Sequence, residues 1–241
     1  MGKFGIDDPV ARRSFLARLT AGAAACAAAI GVAPLITASV TASSESWQPA
    51  RHADDDWFDQ PGAKHRFFFD TSHLEGFAQA LGWARNFLEA SVSGYGLTDA
   101  DNAVIVCARH RSTAFAFNDA MWAKYGAALS ERSNNFVDPK TKQVPTINYY
   151  LVNGSGEGPR NSGLDQLLKR GVRLAVCGMA TRRTATTIAQ KAGAGADDKA
   201  RIDALYKELT ANLVPNAHIV PAGIVAVNRA QERGYTLATV A

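Results

Sequence analysis

Five short, nearly continuous apolar segments alternate with segments of helical spacing, and this alternation restricts the fold of the chain more than any other feature. Strands buried on both faces have such apolar runs, and strands that alternate with helices form parallel sheets. The sequence therefore predicts an α/β fold, with helices on both faces of a parallel sheet and right-handed crossovers. The predicted strands are residues 66–70, 103–108, 172–177, 218–221 and 235–240.

The segments between these strands carry the end signals and apolar spacing of helices. Ser72, with Glu75 three residues later, predicts a capping box at the start of the first helix. Gly94 and Gly96 are typical of the end of that helix. We predict further helices around residues 117–129 and over residues 181–192, 202–213 and 224–233.

Two segments interrupt the alternation. Residues 134–163 are rich in proline and glycine, and a connection of this length is usually functional or disordered. We predict a strand or hairpin at residues 147–152 within this insertion. Residues 43–64 are polar and acidic, which predicts a flexible N-terminal arm with little regular structure. Its residues Trp47 and Trp57 are expected to anchor it to the domain or to a neighbouring subunit.

The first 42 residues have the pattern of an export signal. Arg12 and Arg13 precede an uncharged, alanine-rich apolar segment that ends in small residues. This pattern is typical of the bacterial twin-arginine (Tat) route. We predict cleavage after Ala42, contact with the Tat translocase during export, and a periplasmic or secreted location. An uncleaved N-terminal anchor is the alternative, because the apolar segment approaches the length that spans a bilayer.

Charge and cysteine content limit the function classes of the remaining residues, 43–241. Of the 26 basic and 22 acidic residues, four and two lie before residue 43, so the rest is close to neutral. Nothing in this balance indicates a nucleic-acid partner. Cys107 and Cys177 remain after cleavage, and in an oxidising compartment they form either a disulfide or one reactive and one buried thiol.

Cys177 is the main candidate for chemistry. Ligands of open parallel sheets bind outside the carboxyl ends of the strands, and Cys177 stands where the third strand passes into a helix. Free N–H groups, the helix dipole and the nearby Arg182 and Arg183 favour a thiolate there, which would attack a sulfur atom or carry a persulfide. The alternative is a buried structural cysteine. For Cys107 a core thiol, a disulfide partner and a resolving thiol all remain open.

Basic residues follow the first three strands at the same edge. Arg109, Arg111, Arg182 and Arg183 form either an anion pocket or a solvated basic rim. His110 and His73 serve either as bases or anion donors beside Cys177, or as surface and capping residues; His218 begins its strand and belongs to the opposite edge. The histidine spacing predicts no metal site, and we expect no cofactor. The chain contains no G-x-S-x-G, phosphate-loop or C-x-x-C motif.

Two segments resemble the DsrE/DsrF-like family, namely GVRLAVCG at residues 171–178 and LVPNAHIVPAGIV at residues 213–225, continuing to Tyr235. The resemblance covers residues 64–240. It implies a three-layer α/β/α domain with a five-stranded parallel sheet, often assembled into homo-oligomers. Relatives include sulfur-relay subunits that carry persulfide sulfur on a cysteine after the third strand, and Cys177 matches that position. The export signal, the arm and the insertion depart from the cytoplasmic relay proteins.

These observations leave three functions open. The first is an exported sulfur-handling protein in which Cys177 carries sulfane sulfur, with a small sulfur species or anion as its ligand. The second is a non-catalytic periplasmic module that binds a small anion or metabolite under the insertion as a lid. The third is an oligomeric assembly protein whose aromatic arm binds neighbouring subunits.

Overall fold

The structure is a computed structural model, and it describes residues 47–153, 163–195 and 198–240. Pro49–Ala241 form one compact unit, and the elements described below lie within it. The predicted export segment, with Arg12, Arg13 and the cleavage site after Ala42, lies outside the described residues.

A five-stranded, wholly parallel sheet forms the centre of the domain, in the order β4-β3-β2-β1-β5. This confirms the predicted α/β class and the three-layer α/β/α architecture. Each strand begins and ends close to the residues that the apolar runs predict. The strands are β1 (His65–Thr71), β2 (Asn102–Ala108), β3 (Arg173–Cys177), β4 (Ala217–Val220) and β5 (Thr236–Val240).

Helices cover the two faces of the sheet unequally. They are α1 (Leu74–Tyr95), α2 (Asp119–Arg132), α3 (Tyr149–Asn153), α4 (Leu164–Lys169), α5 (Gly178–Lys191), α6 (Lys199–Ala211) and α7 (Gly223–Gln231). The strand order advances from β1 to β4 in one direction and then returns to β5 beside β1. Right-handed crossovers therefore place α1–α6 on one face and α7 on the other. Two separate hydrophobic clusters match this division, the larger under α1, α2 and α4–α6 and the smaller under α7.

The N-terminal arm completes the thinner layer beside α7. A 3₁₀ turn, Ala53–Phe58, buries Phe58 completely against the sheet. The Trp57 ring stacks on His218, with ring centroids 4.4 Å apart, and the Phe58 carbonyl accepts a hydrogen bond from the Tyr235 hydroxyl. From Pro49 onward the arm is thus more ordered than its polar composition predicts. A nine-residue α7 leaves part of this face uncovered, and burying Phe58 there removes apolar surface from water.

The insertion contains no strand in its described part. Residues 147–152, where we predicted a strand or hairpin, lead into the short helix α3 instead. The Asn148 side chain donates hydrogen bonds to the carbonyls of Phe115 and Phe117, and the Tyr149 and Tyr150 rings pack into the larger cluster. The aromatic residues of this segment therefore pack into the core from a short helix and not from a strand of the sheet.

The predicted capping box is also wrong. His73, not Ser72, is the residue that precedes α1, and the Ser72 hydroxyl is hydrogen-bonded to the His73 ring instead of the helix backbone. A capping box does form at Thr98 and Asp101, before β2. Gly96 ends α1 in the left-handed conformation, as predicted, whereas Gly94 lies within the helix. None of the helices in the described ranges combines the length and apolarity needed to cross a membrane.

Candidate functional site

Cys177 stands at the junction of β3 and α5, as the sequence predicts. It is both the last residue of the strand and the N-cap of the helix, and its Sγ accepts the backbone N–H of Ala180 at 3.4 Å. The residue is 7% exposed. The first N–H groups of a helix lack partners within the helix, and its dipole favours negative charge there. The Cys177 Sγ therefore lies at a helix N-terminus and within reach of its free N–H groups.

A cleft of about 240 Å³ opens beside Cys177. The N-terminal turns of α5 and α7 border it from two sides, because β3 and β4 are neighbours and each is followed directly by its helix. Met179 and Ile224, both more than half exposed, are apolar residues among its lining. The remaining lining residues are Arg109, His110, Ala180, Arg183, Ala222 and Gly223. The cleft is thus positive and amide-rich around the thiol.

Arg109 forms part of the cleft wall, but its charge is compensated. Its Nε and Nη2 donate to the two carboxylate oxygens of Asp70, at 2.6 and 2.9 Å. The pair raises the pKa of Arg109. A Cβ on Gly223 would lie only 2.6 Å from the Arg109 Cβ, so the glycine is needed for the arginine stem to pack there. We predicted Arg109 as an anion ligand; its first partner is instead Asp70.

Arg182 and Arg183 have different positions although they are adjacent. Arg183 lines the cleft. Arg182 forms an ion pair with Asp203 at 2.6 Å and covers the Tyr206 ring at 4.7 Å. Successive residues of a helix point about 100° apart, so one of the two turns towards α6 and away from Cys177. Arg182 is therefore engaged by Asp203 and Tyr206 outside the cleft, whereas Arg183 lines the cleft.

The histidines also differ in their positions relative to the cleft. His110 lines the cleft and adopts a left-handed backbone conformation, with φ of 56°. Partial desolvation and the charge of Arg111 lower the pKa of His110, so its imidazole is neutral near neutral pH. His73 does not line the cleft; its ring lies 5.9 Å from that of His110, at the start of α1. His218 stacks on Trp57 at the beginning of β4, on the opposite edge as expected.

Cys107 lies beneath the cleft and is completely buried. Its Sγ is 3.9 Å from the Gly223 carbonyl. Burial, followed by the charge of Asp70, raises the pKa of the Cys107 thiol. Both cysteines in the described residues are free, so the structure holds no disulfide between them. Cys107 has the environment of a core thiol.

Sequence reasoning missed two residues near this edge. Asp70 is an acid that directly follows the three phenylalanines of β1, and this was the available signal for its pairing with Arg109. Arg132 is the last residue of α2, and it lies near Arg183 only because α2 packs against α5. The sequence contains no local signal for this helix packing. Within the described ranges no group of His, Cys, Asp and Glu side chains is arranged to hold a metal ion.

Comparison of the chain with family models, with curated proteins and with solved structures found no match.

Proposed function

We propose that the chain is an exported, DsrE-like sulfur-handling protein in which Cys177 takes up sulfane sulfur as a persulfide. The observation that carries this proposal is the position of the Cys177 Sγ. It accepts a helix N–H and faces a cleft that also holds Arg183, for which no described carboxylate forms an ion pair. Helix N-termini and neighbouring cations are the conditions under which protein thiols ionise and react.

The proposed step needs no external oxidant or reductant. The Cys177 thiolate attacks the sulfane sulfur of a donor such as thiosulfate, and a new S–S bond forms on the protein. The S–S bond of the donor breaks, and sulfite leaves with the electron pair of that bond. The total negative charge is unchanged, because the persulfide keeps the single charge of the thiolate.

The partial burial of Cys177 suits a carrier. A persulfide in a cleft of about 240 Å³ is shielded from bulk solvent while its terminal sulfur faces Arg183 and the first turn of α7. Arg109 forms part of the cleft wall and does not bind the ligand, because its charge is compensated by the ion pair with Asp70. His110 is neutral near neutral pH, so in the cleft it provides a hydrogen-bonding ring and not a fixed charge.

The test is the intact mass of the purified full-length protein after incubation with thiosulfate or polysulfide. We expect a mass increase of one sulfur atom that a reductant removes and that Cys177→Ser abolishes. Cys26→Ser and Cys107→Ser are the matched controls and should retain the adduct. An adduct that survives Cys177→Ser, or the absence of any adduct with both donors, contradicts the proposal.

The positive, amide-rich cleft also supports a second candidate, a non-catalytic module that binds a small anion. This function uses Arg183 and the two helix N-termini but not the sulfur atom. It predicts that Cys177→Ser retains full anion affinity while the wild-type protein forms no sulfur adduct. The mass experiment and an anion titration together therefore separate the two functions.

A further inference from the structure

Three arginines from distant parts of the chain lie near one another beside the cleft, where Arg183 and Arg111 both act electrostatically on Arg132. Arg183 lines the cleft from α5, Arg132 is the last residue of α2, and Arg111 follows β2. Helices α2 and α5 pack against each other. The Arg111 Nη1 donates to the Asn134 Oδ1 at 2.5 Å, which holds Arg111 at the end of α2. We refer to Arg111, Arg132 and Arg183 as the arginine cluster.

The arginine cluster lacks the carboxylates that neutralise its neighbours. Arg109 is paired with Asp70 and Arg182 with Asp203, but no member of the cluster forms an ion pair with any described residue. The Arg132 Nε is buried and has no hydrogen-bond partner among those residues. Glu131, next to Arg132 in the chain, is itself engaged with Lys191 at 2.6 Å.

An anion would give the buried Arg132 Nε a partner and would balance the charge of the cluster. Burial lowers the pKa of Arg132, the like charges of Arg183 and Arg111 lower it further, and the carboxylate of Glu131 acts in the opposite direction. Unpaired buried donors cost free energy, and guanidinium groups match the oxygens of tetrahedral oxyanions through paired N–H donors. Arg183 belongs both to the cluster and to the Cys177 cleft, so a ligand held by the cluster extends towards the thiol.

We propose that the arginine cluster binds a tetrahedral oxyanion, and that this oxyanion is the SO₃ end of a thiosulfate-type donor. This assignment rests on the proposed function of Cys177. Sulfate and phosphate share the oxyanion chemistry, but only a thiosulfate-type molecule also presents a sulfane sulfur to the thiolate. When the S–S bond of the donor breaks, the leaving sulfite carries its charge on the oxygens that the cluster already holds.

The binding step is tested without the chemistry in the full-length Cys177→Ser protein. Calorimetric titration with sulfate, phosphate and thiosulfate should detect binding of all three anions. Arg183→Gln should weaken each affinity about tenfold, the value of one charge-assisted hydrogen bond. Arg182→Gln is the matched control, because it removes the same charge from the adjacent residue, and it should leave the affinities unchanged. No binding of any of the three anions, or equal weakening by both variants, overturns the site.

The donor class is tested in the protein with Cys177 intact. Polysulfide supplies sulfane sulfur without an oxyanion, so the two donors separate the roles of thiol and cluster. Arg183→Gln should slow adduct formation from thiosulfate about tenfold more than adduct formation from polysulfide. Arg132→Gln should act in the same direction, and sulfate should compete with thiosulfate but not with polysulfide. An equal effect of Arg183→Gln on both donors overturns the assignment to thiosulfate-type donors.

The two experiments fail in different ways. If anions bind to the cluster but no adduct forms on Cys177, the proposed function is wrong and the oxyanion site stands. If polysulfide yields the Cys177 adduct but no anion binds, the sulfur carrier stands and the oxyanion site is wrong.

Discussion

The carboxylate of Asp70 and the guanidinium of Arg109 form a two-point ion pair at the carboxyl edge of the sheet, with N···O distances of 2.6 and 2.9 Å. Asp70 is the penultimate residue of β1 and lies beside Cys107 of β2, and Arg109 follows β2, so the pair connects these two neighbouring strands. The Asp70 side chain is only 5% exposed. This pair removes one positive charge from the candidate site and gives the cleft a rigid wall.

Asp70→Asn should therefore lower the stability of the protein but raise its affinity for anions. The substitution leaves the Arg109 charge without its partner, and we expect a loss of about 2 kcal/mol in the free energy of unfolding, below the range for fully buried pairs. Denaturant unfolding measures this loss. The control, Asp203→Asn, breaks an exposed pair and should have a much smaller effect. Sulfate should bind more tightly to Asp70→Asn, and weaker binding would contradict the assignment of Arg109 as a neutralised wall.

Gly223→Ala should disturb the same wall from the side of α7. The new Cβ would lie 2.6 Å from the Arg109 Cβ and 2.7 Å from its Cδ, so the arginine stem or the start of the helix must shift. We expect a loss of about 1–3 kcal/mol from this overpacking. Gly94→Ala within α1 is the control, because nothing lies within 4 Å of its Cβ position. There alanine should stabilise the helix by about 0.5–1 kcal/mol. Equal effects at both positions would show that the contact is unimportant.

Phe58→Ala tests whether the arm is part of the folded domain. Phe58 is fully buried against the sheet, so its truncation should cost about 3 kcal/mol or more. It should also increase proteolysis of the arm near Trp57. Trp47 is 75% exposed, and Trp47→Ala should change the free energy of unfolding by no more than about 0.5 kcal/mol. An unfolding midpoint unchanged by Phe58→Ala would mean that the arm contributes nothing to stability.

Anion affinity should rise as the pH falls through the pKa of His110. Partial desolvation, Arg111, His73 and Arg132 hold this pKa below its ordinary value, so His110 is neutral near neutral pH and gains its charge under mildly acidic conditions. The sulfate dissociation constant should decrease several-fold between about pH 7.5 and about pH 5, where histidines titrate.

His110→Asn should abolish this increase, and asparagine tolerates the left-handed backbone at this position. His73→Asn is the control for the neighbouring ring, which does not line the cleft. If the pH dependence persists in His110→Asn and disappears in His73→Asn, His73 causes it and the prediction is contradicted.

If residues 1–42 are the export signal that we propose, export should strictly require the arginine pair. Replacing Arg12 and Arg13 together by lysine keeps the charge, yet it should prevent recovery of the protein from the periplasm of a bacterium that has the twin-arginine route. Fractionation and immunoblotting measure this outcome. Arg18→Lys is the control and should be exported normally. Periplasmic recovery of the double variant at the wild-type level would exclude this route.

The sequence alone determined the sheet and the position of Cys177. Continuous apolar runs are a local consequence of burial on both faces, so all five strands were predictable from short segments. The change from strand to helix spacing at Cys177 is equally local, which is why its place at the carboxyl edge was predicted correctly. The capping box at Ser72 and the strand at residues 147–152 were wrong, because His73 and Asn148 have contacts that local patterns do not encode.

Only the tertiary structure decided which positive charges serve the site. Arg109 is neutralised by a residue 39 positions away and Arg182 by one 21 positions away, whereas Arg132 joins Arg183 because α2 packs against α5. The arm likewise acquires order from a sheet face that α7 leaves open. The spacing of apolar residues indicates whether a segment is buried. The ion pairs of the arginines and the packing of the arm depend instead on strand order and helix packing, which bring distant residues together.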